Sequence, residues 1–184
     1  MEPSHTNLRP LSQRDTTSLR ALAYFLTFRT YGTWLHGDER GSVNLERHSF
    51  GTPRLPAQSR WLMESRQRMQ QPPLLLSDEQ RAVCSDAMIE TCSYRGWTLR
   101  AINVRTNHVH VVVSAAVLPE RVMVDLKAYS TRALRRALLV DATRRVWSQH
   151  GSTRMLYSSE SVERACRYTI ERQGARLGVA PAES

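Results

Sequence analysis

The sequence predicts an α+β fold: an antiparallel sheet in the order β-α-β-β-α-β, with one further helix at the end. Three observations carry this. Four segments are rich in β-branched and aromatic residues, as strands are. Helical segments open at clear start signals, Ser77 and Pro119. A single turn residue, Asn107, joins the two middle strand segments as a hairpin.

Ala23 to Tyr31 (AYFLTFRTY) reads as the first strand and stops at Gly32. Residues 41–76 form a long insertion broken by Gly51, Pro53, Pro56, Pro72 and Pro73. One short helix, about Ala57 to Gln71, fits inside it. So long a connection in a compact domain is often functional. Ser77-Asp78-Glu79-Gln80 is a capping box, in which the serine satisfies an orphan N–H and Gln80 reaches back. Its helix should run to about Arg95 and end at Gly96. Trp97 to Arg105 and His108 to Ser114 are the hairpin strands. Pro119 suits the first turn of a helix extending to about Leu139. Val146 to Tyr157 is the last strand. Ser159 can cap a final helix that ends at Gly174. This order is ferredoxin-like. RNA-binding domains share it, so the fold alone does not assign a function.

The chain has 184 residues, 41% of them hydrophobic, enough for one domain with a real core. Residues 1–20 and 175–184 read as polar tails around a single domain at 21–174. No apolar run approaches a membrane span, and no signal peptide opens the chain. Cys84, Cys92 and Cys166 lack metal-site spacing. An odd count of free thiols points to the cytoplasm.

The net charge is +9, with a pI near 10.3, which favours a polyanionic partner such as nucleic acid. Between Arg121 and Arg154 lie eight basic residues against Asp125 and Asp141. Phosphate contacts there would make affinity fall with salt.

Residues two apart on a strand share a face. His108 and His110 therefore sit side by side, while Val109, Val111 and Val113 point into the core. Two imidazoles so placed can hold one divalent cation.

The segment Asn107 to Val113 (NHVHVVV) resembles the His-hydrophobic-His motif of HUH single-strand nucleases. In particular it resembles the single-tyrosine (Y1) transposases of the IS200/IS605 type and their REP-associated relatives. YFLTFRT is similar to that family's opening strand, and Trp147 with the turn after it to the strand before its last helix. The resemblance covers about Tyr24 to Gly174. It implies a tyrosine nucleophile on a helix beyond the histidines, with Mg²⁺ or Mn²⁺ as cofactor. It also implies single-stranded DNA with hairpin ends as substrate, cut through a 5′-phosphotyrosine and rejoined by reversal. Dimers that exchange the tyrosine helix and single acting chains are both known in the family, and the sequence leaves that choice open.

Helical geometry separates two candidate tyrosines. Tyr129 falls among Val122, Leu126 and Ala133, a core-facing position. Tyr168 lies about 60° outside the stripe of Val162, Ala165, Cys166, Thr169 and Ile170. That boundary position, and the family's use of the last helix, select Tyr168. The family places a glutamine four residues after its tyrosine. Here that residue is Arg172, which cannot bind a cation. Glu171 is the preferred third ligand, because a carboxylate suits a hard cation, with Gln173 as the alternative.

Single-strand recognition needs cations and aromatic faces. Arg29, Tyr31, Thr33 and Trp34 supply them at the end of the first strand, and Lys127, Arg132 and Arg154 are further candidates for phosphate. Three competing readings fit the same residues: a ferredoxin-like module that holds RNA or DNA without cutting, a degenerate relative that only binds hairpin DNA, and a hydrolase that uses the histidine pair without Tyr168.

Overall fold

A computed structural model describes residues 21–35 and 59–171. The tails, most of the insertion, Arg172, Gln173 and Gly174 lie outside the described residues. Four strands, β1 (Ala23–Thr30), β2 (Thr98–Val104), β3 (His108–Ser114) and β4 (Trp147–Leu156), form one sheet in the order β2-β3-β1-β4. Every neighbouring pair is antiparallel. The helices are α1 (Ser59–Gln67), α2 (Asp78–Tyr94), α3 (Pro119–Arg136) and α4 (Ser159–Glu171). The α+β, ferredoxin-like expectation and its additional last helix hold. Among the described residues no helix is long and apolar enough to cross a membrane.

Strand alternation divides the molecule into two layers. Leu26, Phe28, Val109, Val111, Val113, Ile102 and Val104 bury one face of the sheet under α2 and α3. Ala23, Ala101, Val112 and Leu156 bury the other against Val162 and Ala165 of α4. Because the side-chain period is two, valines at odd positions of β3 force the even positions, His108 and His110, onto the α4 side.

Helix ends follow local chemistry. The α2 capping box is present: Gln80 N–H donates to Ser77 Oγ at 3.2 Å, and Ser77 N–H donates to Gln80 Oε1 at 3.0 Å. Gly96, at φ +66°, closes α2 with paired bonds from Gly96 N–H to Ser93 and from Trp97 N–H to Cys92. Three expected boundaries shift. α4 is capped by Ser158, not Ser159, since Ser158 and Ser161 exchange side-chain and backbone bonds at 3.2 Å. α1 stops at Gln67, where Gln71 instead binds the Arg145 N–H and the Thr143 carbonyl, and Pro72 disfavours a helical residue before it. α3 stops at Arg136, because Leu138 takes a left-handed conformation, φ 57°.

Candidate active site

His108 and His110 lie with ring centroids 4.8 Å apart, edge to face. His110 is buried beneath α4. Its Nδ1 lies 2.8 Å from Thr27 Oγ1, the residue paired with it across β1 and β3. His108 Nδ1 lies 2.6 Å from Asn107 Oδ1. The Asn107 amide oxygen can only accept, which favours a proton on His108 Nδ1 and a lone pair on its Nε2, while the Thr27 hydroxyl orients the His110 ring and can serve either tautomer. Burial, followed by the nearby charges of His108, Arg29 and Arg105, pushes His110 down to about 3. Its imidazole therefore stays neutral, as a ligand must.

Tyr168 stands against this pair. Its ring meets His110 edge to face at 5.7 Å and Phe25 at 6.0 Å, while Phe25 stacks on His110 at 5.4 Å. It is 40% exposed, so the phenol is open to a strand arriving from solvent. Thr169, the next residue, is fully buried, and its carbonyl accepts a bond from Asn103 Nδ2 at 2.9 Å. Asn103 is the β2 residue opposite His110. The helix carrying Tyr168 is thereby tied to the strand register that places the histidines.

Tyr129 is not buried as its helical position suggested. It lies half-exposed on α3, under the other face of the sheet, with the Arg132 and Arg95 guanidiniums 4.2 and 5.8 Å from its ring. Leu126 and Ala133 take the core direction, and Tyr129 occupies the rim of that stripe.

Glu171 is exposed at the end of α4. Among the described residues, no group of three His, Cys, Asp or Glu side chains forms a metal-sized cluster, so Glu171 does not join the histidines. Among the described residues the donor set is two imidazoles. Two neutral imidazoles are a donor set that could hold a divalent cation.

The expected DNA-binding residues divide. Arg29 is paired with His108 across the sheet, and its guanidinium covers the Trp34 ring at 3.5 Å. Arg154, exposed on β4, is paired with Phe25 and so lies on the histidine face. Thr33 Oγ1 reaches the Thr30 and Asn107 carbonyls, which fastens the β1 end to the histidine turn. Tyr31 accepts a bond from Gln70 N–H at 3.2 Å. Lys127 does not present its ammonium to solvent as a phosphate ligand would. It donates to the Ser148, Gln149 and His150 carbonyls at 2.9, 3.3 and 3.2 Å. Arg132 sits with Tyr129 on the layer away from the histidines. Phe25, Thr27 and Asn103 were missed from sequence, because only strand register brings them to His110.

A family model described as IS200-like transposase matches residues 64–172, which include β3 and the whole of α4. Two solved structures are similar. One is a REP-associated tyrosine transposase bound to a REP hairpin: 11% identity, 82% of this chain and 66% of that one, TM-score 0.47. The other is a candidate transposase from Deinococcus radiodurans R1: 18% identity, 86% and 95% coverage, TM-score 0.45. The chain thus spans 66% of the length of the hairpin-bound transposase. No curated protein matches the chain.

Proposed function

The chain belongs to the IS200-like transposase family, and from that premise we propose that it cuts and rejoins single-stranded DNA with Tyr168 as nucleophile. The observation that carries this reading is the packing of the Tyr168 ring against His110, 5.7 Å between centroids, at the solvent boundary.

His108 and His110 would hold Mg²⁺ or Mn²⁺ through Nε2, and the cation supplies charge neutralisation at the scissile phosphate. The protein's own groups do the rest. Thr27 and Asn107 fix both rings, so the ligand nitrogens need no reorganisation. Asn103 and the buried Thr169 hold the Tyr168 backbone beside them. The Tyr168 oxygen attacks phosphorus: a phosphorus–tyrosyl oxygen bond forms and the bond to the 3′ oxygen breaks. The phenol proton passes to solvent, and the departing 3′ oxygen takes one up. The product is a 5′-phosphotyrosine and a free 3′-OH. Attack by another 3′-OH reverses the step without an external energy source, because the covalent link preserves the phosphodiester's energy. Arg29 and Arg154 lie on the same sheet face and can bear on flanking phosphates. Glu171 completes the cation's shell only by a movement of the α4 end. A hairpin-ended element strand is the proposed substrate.

The test is a labelled hairpin-flanked single strand incubated with the protein and Mn²⁺, then denatured. A covalent adduct that is lost in Tyr168→Phe and kept in Tyr129→Phe supports the assignment. Adduct loss in Tyr129→Phe alone sinks it. Binding without adduct leaves a non-catalytic hairpin binder, and free cleaved ends without adduct a hydrolase.

A further inference from the structure

At the outer end of β1 lies a pocket of about 410 Å³ that the mechanism above leaves unused. Its described lining residues include the aromatic Tyr31, Trp34 and Trp147, the basic Arg68 and Arg145, and Gln149, with Leu35 and Met69 beside them. The aromatic, basic and amide types each match one part of a nucleotide. Aromatic faces stack on any base. Guanidiniums grip phosphate. A glutamine amide offers a donor and an acceptor to a base edge. The volume falls in the range of about 300–1,000 Å³ common to small-molecule sites.

The walls are held in place. Trp147 Nε1 donates to Ser130 Oγ at 3.2 Å, and its ring meets Phe28 edge-on at 5.2 Å. The Tyr31 hydroxyl accepts from the Gln70 N–H, in the turn after α1, and the Arg145 guanidinium lies 5.7 Å from the Tyr31 ring. Stacking surfaces fixed in advance lose little entropy on binding.

One residue, Arg29, links the pocket's Trp34 to the histidine strand. Arg29 covers the Trp34 ring and is the β1 partner of His108. A strand whose phosphate lay at the histidines could pass along Arg29 toward Trp34.

We infer that this pocket takes one unpaired nucleotide of the strand held at the histidine pair, with its base among the three rings and its phosphate toward Arg68 and Arg145. The inference rests on the functional reading above for the presence of that strand. It adds a site where the base itself, and not only the backbone, contributes to binding.

The experiment uses the full chain and single strands of about twelve nucleotides: oligo-dA, oligo-dT and an abasic strand of equal charge. Tryptophan fluorescence and equilibrium affinity are the readouts. The base-bearing strands should quench fluorescence and bind about ten-fold more tightly than the abasic strand. Trp34→Ala should remove that difference, and Trp34→Phe should restore part of it. Arg68→Ala should weaken all strands alike. Equal affinity for base-bearing and abasic strands in the unaltered protein overturns the pocket, as does a full difference surviving in Trp34→Ala. Adduct formation on a hairpin-flanked strand, measured separately, still decides the proposed function in either case. If no strand binds and no adduct forms, both fall.

Discussion

The side-chain amide of Asn103 donates to the carbonyl of Thr169 at 2.9 Å, joining the strand beside His110 to the residue after Tyr168. Beside the apolar packing of α4 on the sheet, this polar bond ties the backbone next to Tyr168, the proposed nucleophile, to the strand beside the histidine pair.

Asn103→Ala should therefore slow adduct formation while leaving affinity for the strand nearly unchanged. Losing one such bond costs about 1 kcal/mol, or roughly five-fold in rate if it is felt mainly at the reacting geometry. Single-turnover adduct kinetics beside equilibrium binding will show the split. Equal losses in both measurements would mean that Asn103 serves the fold or the substrate generally, not the position of Tyr168.

Lys127 and Arg154 make opposite predictions, though both looked alike as phosphate ligands. Arg154 is exposed on the histidine face, so Arg154→Ala should weaken binding and lower the slope of log affinity against log salt by about one. Lys127 is committed to three carbonyls at the start of β4. Lys127→Met should leave that salt slope alone and lower stability by about 1–3 kcal/mol, since the carbonyls lose their donors. Chemical denaturation and a salt titration on each variant suffice.

These two residues show where sequence reasoning stops. Strand alternation made the histidine face legible, because Val109, Val111 and Val113 leave His108 and His110 no other side. The boundary position of Tyr168 was legible for a similar reason, as helical spacing fixes angle around an axis. What a side chain touches across the sheet depends on register, which no single segment encodes. Thr27 and Asn103 look like ordinary strand residues until β1 and β2 are laid beside β3. Lys127 carries the same charge whether it meets a phosphate or a row of carbonyls. Tyr129 was placed in the core because a helix period gives direction but not how far the neighbouring helix extends.

Leu138 gives a prediction about stability alone. Its N–H bonds the Arg135 carbonyl, and the Leu139 N–H bonds Leu134, the same closure that Gly96 makes after α2. Here a leucine occupies the left-handed position, φ 57°, with its side chain 90% exposed. Strain is incurred and little apolar burial is gained. Leu138→Gly should stabilise the protein by about 1 kcal/mol, reduced somewhat by the freer unfolded chain. Thermal unfolding should shift upward by a few degrees, with DNA affinity unaltered. A lower midpoint would show that the leucine makes a contribution beyond its turn.

Acid should unfold the cation-free protein partly through His110. Its folded pKa, about 3, lies below the unfolded value near 6.5 because burial excludes the imidazolium. Between those values the unfolded chain takes up a proton that the folded chain refuses. Stability is therefore undiminished above about pH 6.5 and falls by up to about 1.4 kcal/mol for each unit below it, until the folded ring protonates as well. Denaturant unfolding in chelator at pH 7, 6 and 5 measures the slope. In His110→Gln, which has no proton to accept, the slope should be shallower by nearly one proton. An unchanged slope in that variant would mean that the ring already meets water in the folded state, and that the packing of Phe25 and Tyr168 against it is looser than the 5.4 and 5.7 Å separations imply.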